Sequence, residues 1–339
     1  MLQGHGDDAY RYKRPIIADF STNVWYGGEP AGLKQHIVDR WPVLNRYPEV
    51  VAESLARKIG RHHHLPASQV LITNGTTESI YLIAQAYGTS KTTITIPAFS
   101  EYEDACRMYN HQLAFLRQVN IHSGLRTPEG LFFICNPNNP TGHVFDGLHE
   151  LVKANPQTLF VIDEAFIEFT INVPSLLNLI HTCDNIIILR SMTKAFAIPG
   201  LRLGYIMAAA SVIEQLMRYK MPWSVNALAI EAGHFIFDHY TTSQLPLAQL
   251  FSDKEQLTGQ LQQLSFTIGH SHTHFFLAKM PVGTAPLLKT YLVDEHGILI
   301  RDASNFRGLT NQHIRLATLS NEKNQLIIEA IKKWIQQCS

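Results

Sequence analysis

Ser191-Met192-Thr193-Lys194-Ala195-Phe196-Ala197-Ile198-Pro199-Gly200-Leu201-Arg202 carries a lysine that closes a Ser-x-x-Lys pattern and an arginine eight residues further on. A lysine amine can condense with a carbonyl. A serine hydroxyl and an arginine fork beside it can hold a phosphate. Together they ask for a ligand bearing both a carbonyl and a phosphate, and for a fold that sets this segment at the edge of a cleft.

The flanking sequence predicts such a fold. Residues 70–73, 93–96, 131–135, 159–163, 185–189 and 202–207 are apolar, strand-like runs. Helical patterns over 77–86 and about 102–109 lie among them. Continuous apolar strands with helices between them predict an α/β fold whose central sheet is mostly parallel, buried on both faces and flanked by helices. Past residue 240 the pattern changes to a polar helix over 250–264, strands over 273–280 and 297–300, and an amphipathic helix over 322–336. The chain therefore reads as a large domain over 28–238 and a smaller α+β domain formed by 239–339 with an N-terminal arm over 1–27.

Composition narrows the partners. The 339 residues are 45% hydrophobic, ample for a core of this size. Lys plus Arg and Asp plus Glu each total 28, so there is no basic footprint for nucleic acid and no polybasic patch for a membrane. No apolar run reaches the roughly 18 residues of a spanning helix. The start of the chain is polar and acidic, and Cys106, Cys135, Cys183 and Cys338 form no C-x-x-C pair. These features suggest a cytoplasmic protein with reduced thiols. His62-His63-His64 reads as a solvated run, and His270, His272 and His274 as one face of a half-exposed strand, so no metal site is expected.

In open α/β sheets, ligands bind beyond the carboxyl ends of the strands, and the unusual polar residues gather there. Asn74-Gly75-Thr76-Thr77-Glu78 joins a strand to a helix. Gly75 lets backbone approach a phosphate, Thr76 and Thr77 offer hydroxyls, and the helix start offers N–H groups. The same residues would also suit an ordinary capped helix. The turn Pro137-Asn138-Asn139-Pro140-Thr141-Gly142 fixes Asn139 as a possible donor to a ring oxygen. Asp163 ends an apolar strand, where a buried carboxylate needs a cation. A protonated pyridine nitrogen meets that need, as would a structural ion pair. Phe99 or Tyr102 can stack on such a ring or simply pack the core. Pyridoxal 5′-phosphate (PLP) unites carbonyl, phosphate and pyridine.

Taken in order, this set resembles the fold-type I PLP-dependent enzymes of the aminotransferase class I/II family, over nearly the whole chain. The resemblance implies that Lys194 is the Schiff-base lysine, that Asp163 pairs with the pyridine nitrogen and that Asn139 binds the ring oxygen. It implies a phosphate cradle of Gly75, Thr76, Thr77, Ser191 and Arg202. Phe166 stands where most members have a tyrosine, which removes one hydroxyl from the ring oxygen. The resemblance also implies a homodimer in which Tyr47, within Arg46-Tyr47-Pro48, reaches the partner subunit's cofactor phosphate.

At the substrate end, Arg301 and Arg315 each sit in or beside an apolar run. Arginine binds carboxylate or phosphate through two parallel bonds, so two arginines suit a substrate bearing both. The pair is similar to that of histidinol-phosphate aminotransferases and of L-threonine O-3-phosphate decarboxylases of cobalamin synthesis. Gly4-His5-Gly6, Asp19-Phe20-Ser21-Thr22-Asn23 and Arg301-Asp302-Ala303-Ser304-Asn305-Phe306 resemble segments of the decarboxylases more. This implies Arg315 on the carboxylate and Arg301, His5 and Asn23 on the phosphate. It makes decarboxylation of threonine phosphate the expected reaction, with transamination as the alternative. A non-catalytic PLP-binding regulator is a further alternative, but the chain shows no basic helix for DNA. Two departures stand out: Asp7-Asp8 replaces a glycine and an asparagine of the arm, and Trp25 replaces an asparagine.

Overall fold

The computed structural model describes residues 6–338. His5, expected at the substrate phosphate, lies outside the described residues.

The core strands pair because their side chains are apolar on both faces. After a short β1 (Ala18–Asp19), β2 (Val70–Thr73), β3 (Lys91–Ile96), β4 (Gln112–Arg117), β5 (Gly130–Cys135), β6 (Thr158–Asp163), β7 (Ile186–Ser191) and β8 (Gly204–Ala208) form a seven-stranded sheet in the order β2-β8-β7-β6-β5-β3-β4. β3 through β7 run parallel, while β8 runs antiparallel to both β2 and β7. Alternate residues serve opposite faces. Ile186 and Ile188 of β7 pack toward α1 (Leu33–Asp39), α2 (Glu53–His62), α5 (Leu148–Ala154) and α7 (Ala227–Asp238). Ile187 and Leu189 pack toward α3 (Gly75–Ala86), α4 (Glu101–Met108) and α6 (Ala210–Met217). The result is the sheet flanked by helices on both faces that continuous apolar strands require.

The remaining chain builds a second unit. α8 (Leu247–Gln263), α9 (Ala285–His296) and α10 (Asn321–Cys338) accompany β9 (Thr267–Ile268), β10 (Phe275–Lys279), β12 (Arg301–Asp302) and β13 (His313–Ala317), an antiparallel sheet in the order β12-β13-β10-β9. β1 pairs in parallel with β11 (Ile298–Leu299), so the N-terminal arm is stitched to this unit. Its core gathers Phe20, Leu257, Phe276, Ile314, Leu316 and Ile327.

Two histidine expectations are corrected. His63 is not solvated. It is half-buried with Nε2 3.0 Å from the Tyr205 hydroxyl, and burial pushes its pKa down to about 3. His270, His272 and His274 share no strand face, because β10 begins only at Phe275; His270 is exposed, whereas His274 is buried and stacks on Phe169. Among the described residues no group of three or more His, Cys, Asp or Glu is placed to hold a metal, and no helix is long and apolar enough to cross a membrane.

Candidate active site

The carboxyl ends of β2, β5, β6 and β7 open onto one chamber of about 240 Å³. Each strand delivers its last residues there because its apolar run stops where the sheet meets the cleft. β6 ends in Asp163, only 4% exposed. Its Oδ2 accepts from the Tyr102 hydroxyl at 2.7 Å and its Oδ1 from the Ala165 N–H at 3.0 Å. Burial raises its pKa to about 6, and these two hydrogen bonds only partly oppose the rise. The carboxyl thus lacks a full cationic partner of its own.

Lys194 projects into the same chamber from the turn after β7. Trp25 donates its N–H to the Lys194 carbonyl at 3.0 Å, which ties this turn to the arm. Burial, then the charges of Arg315 and Arg202, lower the Lys194 pKa to about 8. Compared with an ordinary lysine, a much larger fraction of the amine is neutral near neutral pH and able to act as a nucleophile.

One wall is built for an anion. Gly75 opens α3 with φ +77°, and a Cβ there would lie 2.6 Å from Arg202 Nη2. Only glycine combines that backbone with so close a guanidinium. Thr76, Thr77 and Arg202 line the chamber beside it. Arg202 itself holds φ +59° and donates from Nη1 to the Pro199 carbonyl at 3.0 Å. Ser191 is placed differently from the expected cradle. It is buried behind the wall, its Oγ 2.8 Å from Thr193 Oγ1, and Thr193 is the hydroxyl residue on the chamber surface. The hydroxyl immediately before the lysine was the available signal for Thr193.

The two aromatic candidates separate. Tyr102 is fully buried, spends its hydroxyl on Asp163 and stacks its ring on Phe133 at 5.3 Å. Phe99 meets it edge-on at 5.9 Å and lines the chamber more openly. Phe166 also lines the chamber and packs edge-on against Phe275. The side-chain oxygen of Asn139 accepts from Arg315 Nη1 at 2.6 Å. That contact leaves its amide N–H₂ as the group available to donate.

A second, outer chamber of about 510 Å³ shares Gly6, Phe99, Asn139 and Arg315 with the first. Arg301 lines the outer chamber. Arg301 and Arg315 are direct partners across the antiparallel β12–β13 ladder, and both are buried. Like charges directly opposite one another destabilise a sheet, so the pair favours an anion between or beside them. Burial lowers the proton affinity of each, and Arg301 lowers that of Arg315 further. Arg301 is steadied by Asn305 Oδ1 at 2.8 Å and by Phe306 beneath its guanidinium. Arg315 donates to the Ser21 carbonyl, while its Nε is buried without a partner. At the mouth, Arg307 Nε and Nη2 reach Glu103 of α4 at 2.9 and 2.7 Å, a bridge between the two units that sequence reading missed.

Asn23 opens onto the inner chamber, beside Arg315 rather than Arg301. Both its side-chain oxygen and nitrogen are buried without a partner. Such a group costs free energy unless a ligand or water satisfies it. Tyr47 is far more exposed, at 85%, with its ring 5.4 Å from that of Trp223. It is absent from both chamber walls of its own chain. The acids of the arm diverge. Asp8 turns to Lys289, which donates to its two oxygens at 2.9 and 2.7 Å, while Asp7 stays on the inner chamber wall.

A lysine, a buried acid and an anion cradle around one cleft at the carboxyl ends of a parallel sheet define a class. The chain belongs to the aminotransferase class I and II family, whose profile matches residues 19–331. Within it, the chain is 30% identical to the threonine-phosphate decarboxylase of Salmonella typhimurium, over 93% of this chain and 90% of that protein. It superimposes on the crystal structure of L-threonine-O-3-phosphate decarboxylase from Porphyromonas gingivalis with a TM-score of 0.90, at 35% identity, covering 94% of this chain and all of that one. It is also 29% identical to histidinol-phosphate aminotransferase 1 of Nostoc sp., over 86% of this chain and 84% of that protein.

Proposed function

We propose that this chain is a cytoplasmic PLP-dependent decarboxylase that converts L-threonine O-3-phosphate to (R)-1-amino-2-propanol O-phosphate for the cobalamin side chain. The observation that carries the reading is the Arg301–Arg315 pair in a chamber continuous with Lys194: two cations for a substrate with two anions.

The inner chamber suits PLP. Asp163 awaits a cation, and Gly75 keeps open a space that any side chain would close. In our reading Lys194 holds the cofactor through Nζ, Asp163 faces the ring nitrogen and the Asn139 amide faces the ring oxygen. Thr76, Thr77, Thr193 and Arg202 take the phosphate, with Ser191 supporting Thr193, and Phe99 covers the ring. When bound, PLP supplies an electron sink for the pair left by a bond broken at Cα.

The chain's own residues decide which bond that is. Arg315, joined by Asn23, grips the substrate carboxylate, and Arg301 holds the phosphate in the outer chamber. Holding both ends fixes rotation about Cα, so that the bond to the carboxylate is the one presented for cleavage. CO₂ departs, and Lys194, its amine freed once the substrate amine has taken its place, would deliver from Nζ the proton that replaces it at Cα.

The unit is a homodimer in this proposal. Trp41, Leu44, Tyr47, Val50, Met221 and Trp223 are all large, apolar and exposed. Trp223 donates its N–H to the Val50 carbonyl at 2.8 Å, which draws two of these segments into one face. A patch of this kind on a folded chain marks an interface, and Tyr47 stands on it ready to enter the partner's site.

The test is direct. Purified protein with PLP is expected to release CO₂ from threonine phosphate, and Lys194→Ala to lose both this activity and the visible absorbance of the lysine-bound cofactor. Absence of CO₂ release, with transamination of histidinol phosphate by 2-oxoglutarate instead, would overturn the reading in favour of an aminotransferase.

A further inference from the structure

Among the described residues, Asp7 is the one acid on the inner chamber wall apart from Asp163 at its floor. Asp163 is already engaged by Tyr102 and the Ala165 N–H. No side chain among the described residues forms a hydrogen bond or ion pair with the Asp7 carboxylate. Its backbone is nevertheless firmly held. The Asp7 N–H donates to Ser21 Oγ at 2.9 Å, Asp8 is clamped by Lys289, and Gly6 packs so close to the Ser21 carbonyl that a Cβ would collide with it.

Asp7 also adopts φ +61°, in the left-handed region. Glycine would take this conformation without steric cost, whereas an L side chain pays for it. Asp7 is exposed and lines the inner chamber, and among the described residues its carboxylate has no protein partner, so it stands open to a cation that enters from solvent.

The charges on the walls say which part of the ligand. The proposed substrate has two anions and one cation. Arg301 and Arg315 meet the anions, and Arg202 belongs to the anion cradle. The ammonium must arrive beside Lys194, and among these residues only the Asp7 carboxylate is free to receive it. Asp7 lies within electrostatic reach of Lys194, whose protonated form it favours against Arg315 and Arg202.

We propose that Asp7 receives the α-ammonium group of the incoming substrate and so selects amine-bearing phosphates over amine-free ones. This rests on the decarboxylase reading and deepens it. Asp7 lines the inner chamber, whereas Arg301 lines the outer one.

The experiment compares two ligands on the holoenzyme and on its Asp7→Asn and Asp7→Gly variants. One is threonine phosphate. The other is 3-phosphonooxybutanoate, which keeps the carboxylate and phosphate but lacks the amine. Loss of one charge-assisted contact is expected to raise KM for threonine phosphate about tenfold, with kcat within about twofold. The dissociation constant of the amine-free ligand, measured by calorimetry, is expected to stay the same or fall. Asp7→Gly is expected to unfold within about 2 °C of the wild type, since it relieves backbone strain while it loosens the unfolded chain. An unchanged KM, or equal weakening of both ligands, overturns the assignment and leaves the decarboxylase reading standing. If the wild-type protein neither turns over threonine phosphate nor binds the analogue, the substrate reading fails and the role of Asp7 fails with it.

Discussion

Asp163 shows how one position can be legible in a sequence while its energetics are not. A carboxylate at the end of an apolar strand is visible as an anomaly, and so is a lysine after Ser-x-Thr. The sequence does not show that Tyr102 would donate to that carboxylate, because the two are far apart along the chain and meet only through α4 packing on the sheet. Nor does it separate Ser191 from Thr193, since which of two neighbouring hydroxyls faces the cleft depends on how the turn leaves β7. The pKa of Asp163 yields a testable sign. Pairing with a cation requires the ionised form, and without the cofactor the group holds its proton up to about pH 6. Below that pH, cofactor binding must expel a proton. The affinity of the cofactor-free protein for PLP is expected to fall by up to about tenfold per pH unit as pH drops below 6. Fluorescence titration between pH 5 and 7.5 measures this, and Asp163→Asn is expected to bind weakly and to lose the part of the pH dependence that Asp163 contributes.

At the scale of elements, the buried strands declare themselves by composition. β5, β6 and β7 are nearly uninterrupted Leu, Phe, Val and Ile, and little but a doubly covered sheet accommodates such runs. β4 escapes this reading. Its Gln112–Arg117 run is half-buried at the sheet edge, so its mixture of polar and apolar residues resembles a loop. The antiparallel course of β8 is equally hidden, since direction follows from the path of the connecting chain and not from strand composition. The β2–α3 junction carries its own prediction. Gly75→Ala would set a methyl group against Arg202 and force a side chain into φ +77°. The guanidinium can swing away, but only by leaving the anion cradle. PLP affinity is expected to drop about tenfold, and stability to fall by about 1 kcal/mol, measured by equilibrium binding and by denaturant unfolding.

For the molecule as a whole, the exposed face around Trp41 and Trp223 carries the assembly prediction. Trp223→Asp places a charge in the proposed contact and is expected to yield monomers by sedimentation. Tyr47→Phe keeps the ring and loses only the hydroxyl. It is expected to remain dimeric while binding PLP more weakly, since the proposal gives the hydroxyl to the partner's site. Equal behaviour of the two variants would contradict the division of labour on this face. Single-chain sequence reading reaches the tyrosine by resemblance alone. Its physical sense, an aromatic ring left 85% exposed beside Trp223 and away from both chambers of its own chain, emerges only from the folded surface.

The facing arginines of β12 and β13 have a bearing on turnover. In the proposed reaction the substrate arrives with a negative group for each guanidinium, and their mutual repulsion is quenched. Decarboxylation carries one of those groups away as a neutral gas. Arg315 is then left uncompensated in a buried rung opposite Arg301, with only the phosphate still neutralising the pair. The chemical step itself thereby loosens the grip on what it has made, and the product leaves from a site that no longer fits its charge.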